Sequence, residues 1–191
     1  MTIGLFTGTF DPIHNAHINL VIEMLEKASL KKIIVCPSKL SPFKMDKKPI
    51  ASDMDRYNMV KLAFQNIKEV EVSDFELKNE APSYTINTIL EFKKSNDLKL
   101  ILTEDMLLSL HEWKDYKKIL EFAPLLVGCR QKKITSFQNN YFTLSKNNFI
   151  QTNIFEISAS AIRERLSNKK YIYSLTPKEI MDYIHAHKLY Y

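Results

Sequence analysis

The sequence predicts an α/β fold: a doubly wound parallel sheet with a small C-terminal helical extension. Short apolar, β-rich runs recur at residues 2–6, 32–36, 69–72, 98–102 and 124–129, and helical patterns occupy the intervals between them. Strands separated by helices pair in parallel, because each helix returns the chain across the sheet. The polar signals are placed consistently with this. The Thr7–His17 stretch, Thr103–Asp105 and Arg130 each follow a strand run, and parallel sheets bind ligands in the crevice beyond the carboxyl ends of their strands.

Taken in order, Ile3, Leu5 and Phe6 form the first strand, and Thr7-Gly8-Thr9 turns the chain into a helix over 16–28. Ile18, Val21, Ile22, Leu25 and Ala28 share one face of that helix. Further helices are expected over 52–67, 83–95 and 115–121. Residues 131–150 are polar and rich in Asn, Lys and Ser, and read as a variable connection. A short apolar run, Asn153-Ile154-Phe155, precedes Ile157–Arg163, which opens another helix. The last helix is expected to start at Thr176 as N-cap, with Pro177 in the first helical position and Glu179 completing a capping box. Neither repeats nor linkers interrupt the pattern, so residues 1–191 read as one domain whose helical C-terminal part covers about 156–191.

Bulk composition narrows the function classes. The 191 residues are 45% hydrophobic and carry a net charge of +5, ordinary for a soluble enzyme. The basic residues come as scattered pairs such as Lys31-Lys32 and Lys132-Lys133, not as the stripe a nucleic-acid binder presents. A polyanionic small substrate suits the same balance. No apolar run approaches the roughly 20 residues needed to span a bilayer, and the N-terminus has no signal-peptide pattern. Cys36 and Cys129 lie near the ends of apolar runs and are expected to be small hydrophobes rather than a disulfide. A cytoplasmic protein is expected, with no membrane or nucleic-acid partner and a homo-oligomer left open.

Two segments carry chemistry. The turn at Gly8 and Thr9 brings backbone amides and a helix N-terminus to one point, which attracts phosphate. His14 and His17 stand within reach of that point. Two imidazole nitrogens do not complete a zinc site, and neither Cys nor carboxylate follows at ligand spacing, so no protein-held metal is expected. The plain alternative is a loop histidine with a helix-capping companion. Beside a phosphate turn, imidazoles instead neutralise a phosphoryl group as it gains charge. Ser158-Ala159-Ser160-Ala161-Ile162-Arg163 is the second segment. Its serines read equally as plain N-caps or as donors to phosphate oxygens, with Arg163 one turn on adding a permanent charge.

These segments resemble the two signatures of the nucleotidyltransferase superfamily: Gly8-Thr9-Phe10-Asp11-Pro12-Ile13-His14-Asn15-Ala16-His17, and Ile157-Ser158-Ala159-Ser160-Ala161-Ile162-Arg163. Between them, Pro82-Ser83-Tyr84-Thr85, Asp105-Met106-Leu107 and Trp113-Lys114-Asp115-Tyr116 are similar, in order and spacing, to segments of bacterial nicotinate-mononucleotide adenylyltransferases. The resemblance extends to the ending, Tyr183-Ile184 with Leu189-Tyr190, and is weakest over 131–150.

The resemblance implies a Rossmann-like fold and an enzyme of NAD biosynthesis that joins ATP and nicotinate mononucleotide to give deamido-NAD and pyrophosphate. It implies that His14, His17 and Arg163 are catalytic. ATP would meet Gly8, Thr9, Phe10, His14, His17, Asp105, Ser158, Ser160 and Arg163, with Asp105 accepting hydrogen bonds from a ribose. Thr9, Lys44, Thr85, Trp113 and Arg130 would meet the acceptor, Trp113 by stacking on the pyridine ring and the helix start at Thr85 by donating to its carboxylate. Magnesium (Mg2+) would accompany the triphosphate through phosphate and water oxygens. The chain departs from the pattern at Thr7, Thr103, Glu104 and Phe43, where the family carries glycines before Thr9 and Asp105, and an asparagine and a histidine in the loop around Phe43. Three alternatives remain at this level: the same chemistry on nicotinamide mononucleotide, on phosphopantetheine, or nucleotide binding without catalysis.

Overall fold

The computed structural model describes residues 2–129, 136–153 and 155–191. The chain runs β1 (Thr2–Gly8), α1 (Asn15–Lys27), β2 (Lys32–Pro37), α2 (Asp53–Phe64), β3 (Val70–Val72), α3 (Phe75–Lys78), α4 (Thr85–Lys93) and β4 (Asp97–Thr103). It continues through α5 (Glu104–Leu107), α6 (Tyr116–Phe122), β5 (Leu125–Cys129), β6 (Ser136–Gln138), β7 (Thr143–Ser145), β8 (Phe149–Gln151), α7 (Ala159–Ser167) and α8 (Lys178–Ala186). Six strands form one sheet in the order β3-β2-β1-β4-β5-β8, and every pairing within it is parallel. The order reverses between β1 and β4, which is where a crevice opens in a doubly wound sheet.

Alternation along each strand divides the core between two faces. Ile33 and Val35 of β2, Ile101 of β4 and Leu126 of β5 pack with α1, α2, α7 and α8. Ile3 and Leu5 of β1, Ile34 of β2, Leu98 and Leu100 of β4 and Val127 of β5 pack with α4, α5 and α6. Helix α1 presents Leu20, Val21 and Met24 to the first face, each at most 5% exposed; burial of side chains this size contributes roughly 1.5–3 kcal/mol apiece. An Asp at Val21 would put a charge into that layer.

The region 131–150 holds more structure than a connection. β6 and β7 form an antiparallel hairpin, closed at Asn139, whose Oδ1 accepts from the amides of Tyr141 and Phe142. β8 then adds a sixth parallel strand, with Val127 opposite Phe149 and Cys129 opposite Gln151. Three residues are too short a run for periodicity to reveal.

The start of α8 also departs from expectation. Pro177 occupies the N-cap position and no side chain caps the helix. Thr176 is buried, and its hydroxyl donates to the carbonyl of Ile13 (3.1 Å). A hydroxyl with a tertiary acceptor in a dry core satisfies more than an exposed cap does, so the tertiary contact wins and ties the C-terminal helices to the β1–α1 loop.

Candidate active site

A cavity of about 1360 Å³ opens at the carboxyl ends of β1 and β4. Thr9, Phe10, His14, His17, Lys44, Asp105, Ser158, Ser160 and Arg163, named from sequence, all line it. So do Thr103 and Glu104. Gly8 does not line it. Thr85 and Trp113 do not line it either; the Trp113 ring centroid lies 6.4 Å from that of Phe43, which does. Lys114 lies over the Tyr84 ring at 4.3 Å on that side. Arg130 falls outside the described residues.

The turn after β1 gets its shape from Phe10 rather than from Gly8. Phe10 has φ of 48°, whereas no described glycine has positive φ. Left-handed backbone costs a side-chain-bearing residue about 1–2 kcal/mol and persists where packing over-determines it. Here the Phe10 ring stands edge-on to Phe6 (5.5 Å) and to His17 (5.1 Å). Gly8 provides the room: a Cβ there would lie 2.9 Å from the Phe10 ring.

His14 is the residue before α1, in extended conformation, and His17 follows in the first turn. Their rings stack at 3.7 Å. The Nδ1 atom of each is buried and has no hydrogen-bond partner. Burial pushes the His14 imidazole down to about 4. His17 keeps a partly exposed edge, yet burial of its ring, then the nearby His14 and Lys44, hold it well below the usual imidazole range. The free protein therefore carries a neutral stacked pair near pH 7, and an approaching phosphate would supply the partner and the opposite charge that the pair does not have.

Opposite stands the start of α7. Ser158 is a true N-cap, its hydroxyl accepting from the Ala161 amide at 3.1 Å. Arg163 donates from Nη1 to the Asp11 carbonyl (2.5 Å) and from Nη2 to the Ser160 hydroxyl (3.1 Å). The segment leading into α7 is anchored by Glu23 of α1, a buried carboxylate that accepts from the Asn153 amide (3.0 and 3.1 Å), the Asn153 side chain (2.8 Å) and Lys27 (2.7 Å). Burial pushes the Glu23 carboxyl upward, but Lys27 and the Asn153 amide outweigh it and hold it below its ordinary value. Both halves of the site thus hang on α1.

Besides Glu23, four buried residues escaped sequence reasoning. Asp11 lies inside the first motif without having been given a role, and its carboxylate accepts from the amides of Ile50 and Ala51 (2.9 and 3.1 Å) and from the Tyr190 hydroxyl (2.8 Å). Arg56 is completely buried and donates to the carbonyls of Thr9 (2.7 Å), Ser38 (2.6 Å) and Lys39 (3.3 Å) and to Asp53 (2.6 Å). A signal for it existed: Arg56, Met59 and Val60 share a helical face that is otherwise apolar. Glu76 is buried against Thr88 (2.6 Å), and burial raises its carboxyl to about 7. Tyr190 gives no local sign of its reach.

The cytidylyltransferase-like family profile matches residues 5–165. A probable nicotinate-nucleotide adenylyltransferase of Methylacidiphilum infernorum is 34% identical over 98% of this chain and 91% of that protein. One from Flavobacterium psychrophilum is 35% identical over 100% and 99%. Among solved structures, the nicotinic acid mononucleotide adenylyltransferase of Plasmodium falciparum complexed with NaAD superposes with a TM-score of 0.74 at 19% identity, covering 99% of this chain and 97% of that one. The same protein complexed with APC gives 0.72 at 17% identity, covering 99% and 96%; these likenesses establish the Rossmann-like fold. By its motifs, its strand order and its full-length similarity to those bacterial relatives, the chain belongs to the nicotinate-nucleotide adenylyltransferase family.

Proposed function

We propose that this protein transfers the adenylyl group of ATP to nicotinate mononucleotide, forming deamido-NAD and releasing pyrophosphate. One observation supports this above the others: the His14–His17 pair and the Ser158–Arg163 helix start line a single cavity at the β1–β4 switch point. A phosphate oxygen of the mononucleotide attacks the α-phosphorus in line, a bond forms there, and the bond to the β-phosphate oxygen breaks. The work falls to alignment and to stabilising charge on the departing pyrophosphate. His14 and His17 meet the phosphates at the end of β1. Ser158, Ser160 and Arg163 hold the β- and γ-phosphates, with Thr9, Phe10 and Gly8 shaping the floor. Asp105, exposed after β4, accepts from a ribose.

The acceptor's pyridine end would lie toward Phe43, Trp113 and the α4 start at Thr85, with Lys44 near its phosphate. Arg130 keeps its assignment as an acceptor contact. Among the described residues, no three His, Cys, Asp or Glu side chains converge as a metal cage, while Lys44, Lys47, Lys48 and Arg163 line the cavity. Those cations suit a triphosphate, which magnesium would accompany as MgATP. Among the described residues, no helix is long and apolar enough to cross a membrane. An enzyme acting on ATP and a pyridine mononucleotide would work in the cytoplasm, where both substrates are made.

The test is pyrophosphate release from MgATP with nicotinate mononucleotide, nicotinamide mononucleotide and phosphopantetheine side by side. His17→Ala should lower turnover on the nicotinate substrate by about 10²–10³-fold while leaving a folded protein. Near-normal turnover, or a preference for another acceptor, overturns the assignment.

A further inference from the structure

The last residues of the chain return to the phosphate end of the cavity. Lys188 (φ 52°) and Tyr190 (φ 68°) are both left-handed, and they turn the tail beyond α8 back on itself, with the Leu189 amide bonded to the Ile184 carbonyl (3.0 Å). Two such residues cost stability that the surroundings must offset. Tyr190 is only 7% exposed, in the same core as Ile180 and Ile184, and its hydroxyl donates to Asp11 Oδ1 at 2.8 Å. Burial foremost, then the Asp11 carboxylate, pushes the phenol far above its ordinary range, so it remains a donor.

Asp11 gathers three distant segments. Its Oδ1 accepts from Tyr190 and the Ala51 amide, its Oδ2 from the Ile50 amide. Oδ2 also lies 3.7 Å from Arg163 Nη1, which hydrogen-bonds the Asp11 carbonyl instead. The carboxylate is thus held just short of a close pair with the arginine. Arg163 keeps donor capacity toward the cavity it lines, because a guanidinium has five N–H groups.

We infer that Tyr190 is a positioning residue for the phosphate clamp: its hydroxyl restrains the Asp11 carboxylate and so keeps Arg163 directed at the substrate's phosphates. Without the hydroxyl, Oδ1 retains only the Ala51 amide. The carboxylate then turns toward the guanidinium, and a closed Asp11–Arg163 pair competes with the triphosphate for the same charge. The inference rests on the adenylyl transfer proposed above.

Tyr190→Phe removes the hydroxyl alone, and Leu189→Ala loosens the tail while leaving the hydroxyl. Calorimetric titration with MgATP and steady-state kinetics in both directions distinguish them. For Tyr190→Phe, the MgATP dissociation constant and the KM for pyrophosphate in the reverse reaction should rise about tenfold. The KM for nicotinate mononucleotide should stay within about twofold. Leu189→Ala should lower Tm and leave the MgATP constant unchanged. An unaltered MgATP constant in Tyr190→Phe overturns the inference, as does an equal loss toward both substrates. If the wild-type protein binds MgATP but transfers nothing to a pyridine mononucleotide, the reaction assignment fails, and the MgATP constants still decide the role of Tyr190.

Discussion

Replacing Arg56 by Ala should unfasten the floor of the cavity. The guanidinium is completely buried and serves three main-chain carbonyls, those of Thr9, Ser38 and Lys39, besides Asp53. Asp53 is 39% exposed at its side chain, so water can solvate its carboxylate, and its loss contributes little. The carbonyls are different. A fully buried acceptor left without a partner costs about 1–3 kcal/mol; the Ser38 bond is buried and those to Thr9 and Lys39 partly so, and together with the lost packing they give about 4 kcal/mol. At roughly 2–4 °C per kcal/mol for a chain of this size, Tm should fall by roughly 8–16 °C. Arg56→Lys should recover less than half, because one compact ammonium cannot replace both terminal nitrogens, Nη1 serving Thr9 and Ser38 and Nη2 serving Lys39 and Asp53. Guanidinium titration followed by far-ultraviolet circular dichroism measures this as a lowered midpoint at constant slope. A loss below about 1 kcal/mol for Arg56→Ala would refute the reasoning.

Three further outcomes are expected. With the His14 imidazole at about 4 in the folded protein and near 6.5 unfolded, the unfolded state binds more protons between those values; this group alone should remove about 3 kcal/mol of stability as pH falls from 6.5 to 4, and none above 6.5. His14→Gln should flatten that interval in a pH series of denaturant titrations, and parallel curves for the two proteins would count against a buried neutral ring. Glu76 has the opposite sign: its carboxyl, raised by burial to about 7, favours the folded state only when protonated, so stability should fall as pH rises from 4.5 to 7. Glu76→Gln should therefore gain about 3 kcal/mol on the wild type between pH 4.5 and pH 8, and a gap independent of pH would contradict this. Gly8→Ala, with its Cβ 2.9 Å from the Phe10 ring, should push Phe10 against His17 and lower kcat on the order of 10–100-fold; unchanged turnover would show that the ring has room.

The strands and the helices between them were legible because both faces of the sheet are dry, so alternation and apolar density both registered in the sequence. β8 was not, since Phe149-Ile150-Gln151 owes its strand state to the exposed edge of β5 rather than to its own pattern. The phosphate end of the site was legible because its residues are contiguous in two short segments. Asp11, Arg56 and Tyr190 were not, because their roles arise from partners far away in the chain: Asp11 and Tyr190 are separated by 179 positions. Thr176 shows the same limit from the other side. Its local pattern specified a cap, and the Ile13 carbonyl outbid it.

β8 has a consequence for how the chain tolerates changes in length. The hairpin tip at Asn139–Tyr141 faces solvent, and residues added there need only a longer loop, at a closure cost that grows slowly. Within β8 there is no such slack. A single residue inserted into β8 exchanges the two faces of the strand and carries Asn153 away from Glu23 before the chain reaches α7. The edge of the sheet thus acts as a gauge for the distance between the two halves of the site, and insertions on its two sides should have opposite fates.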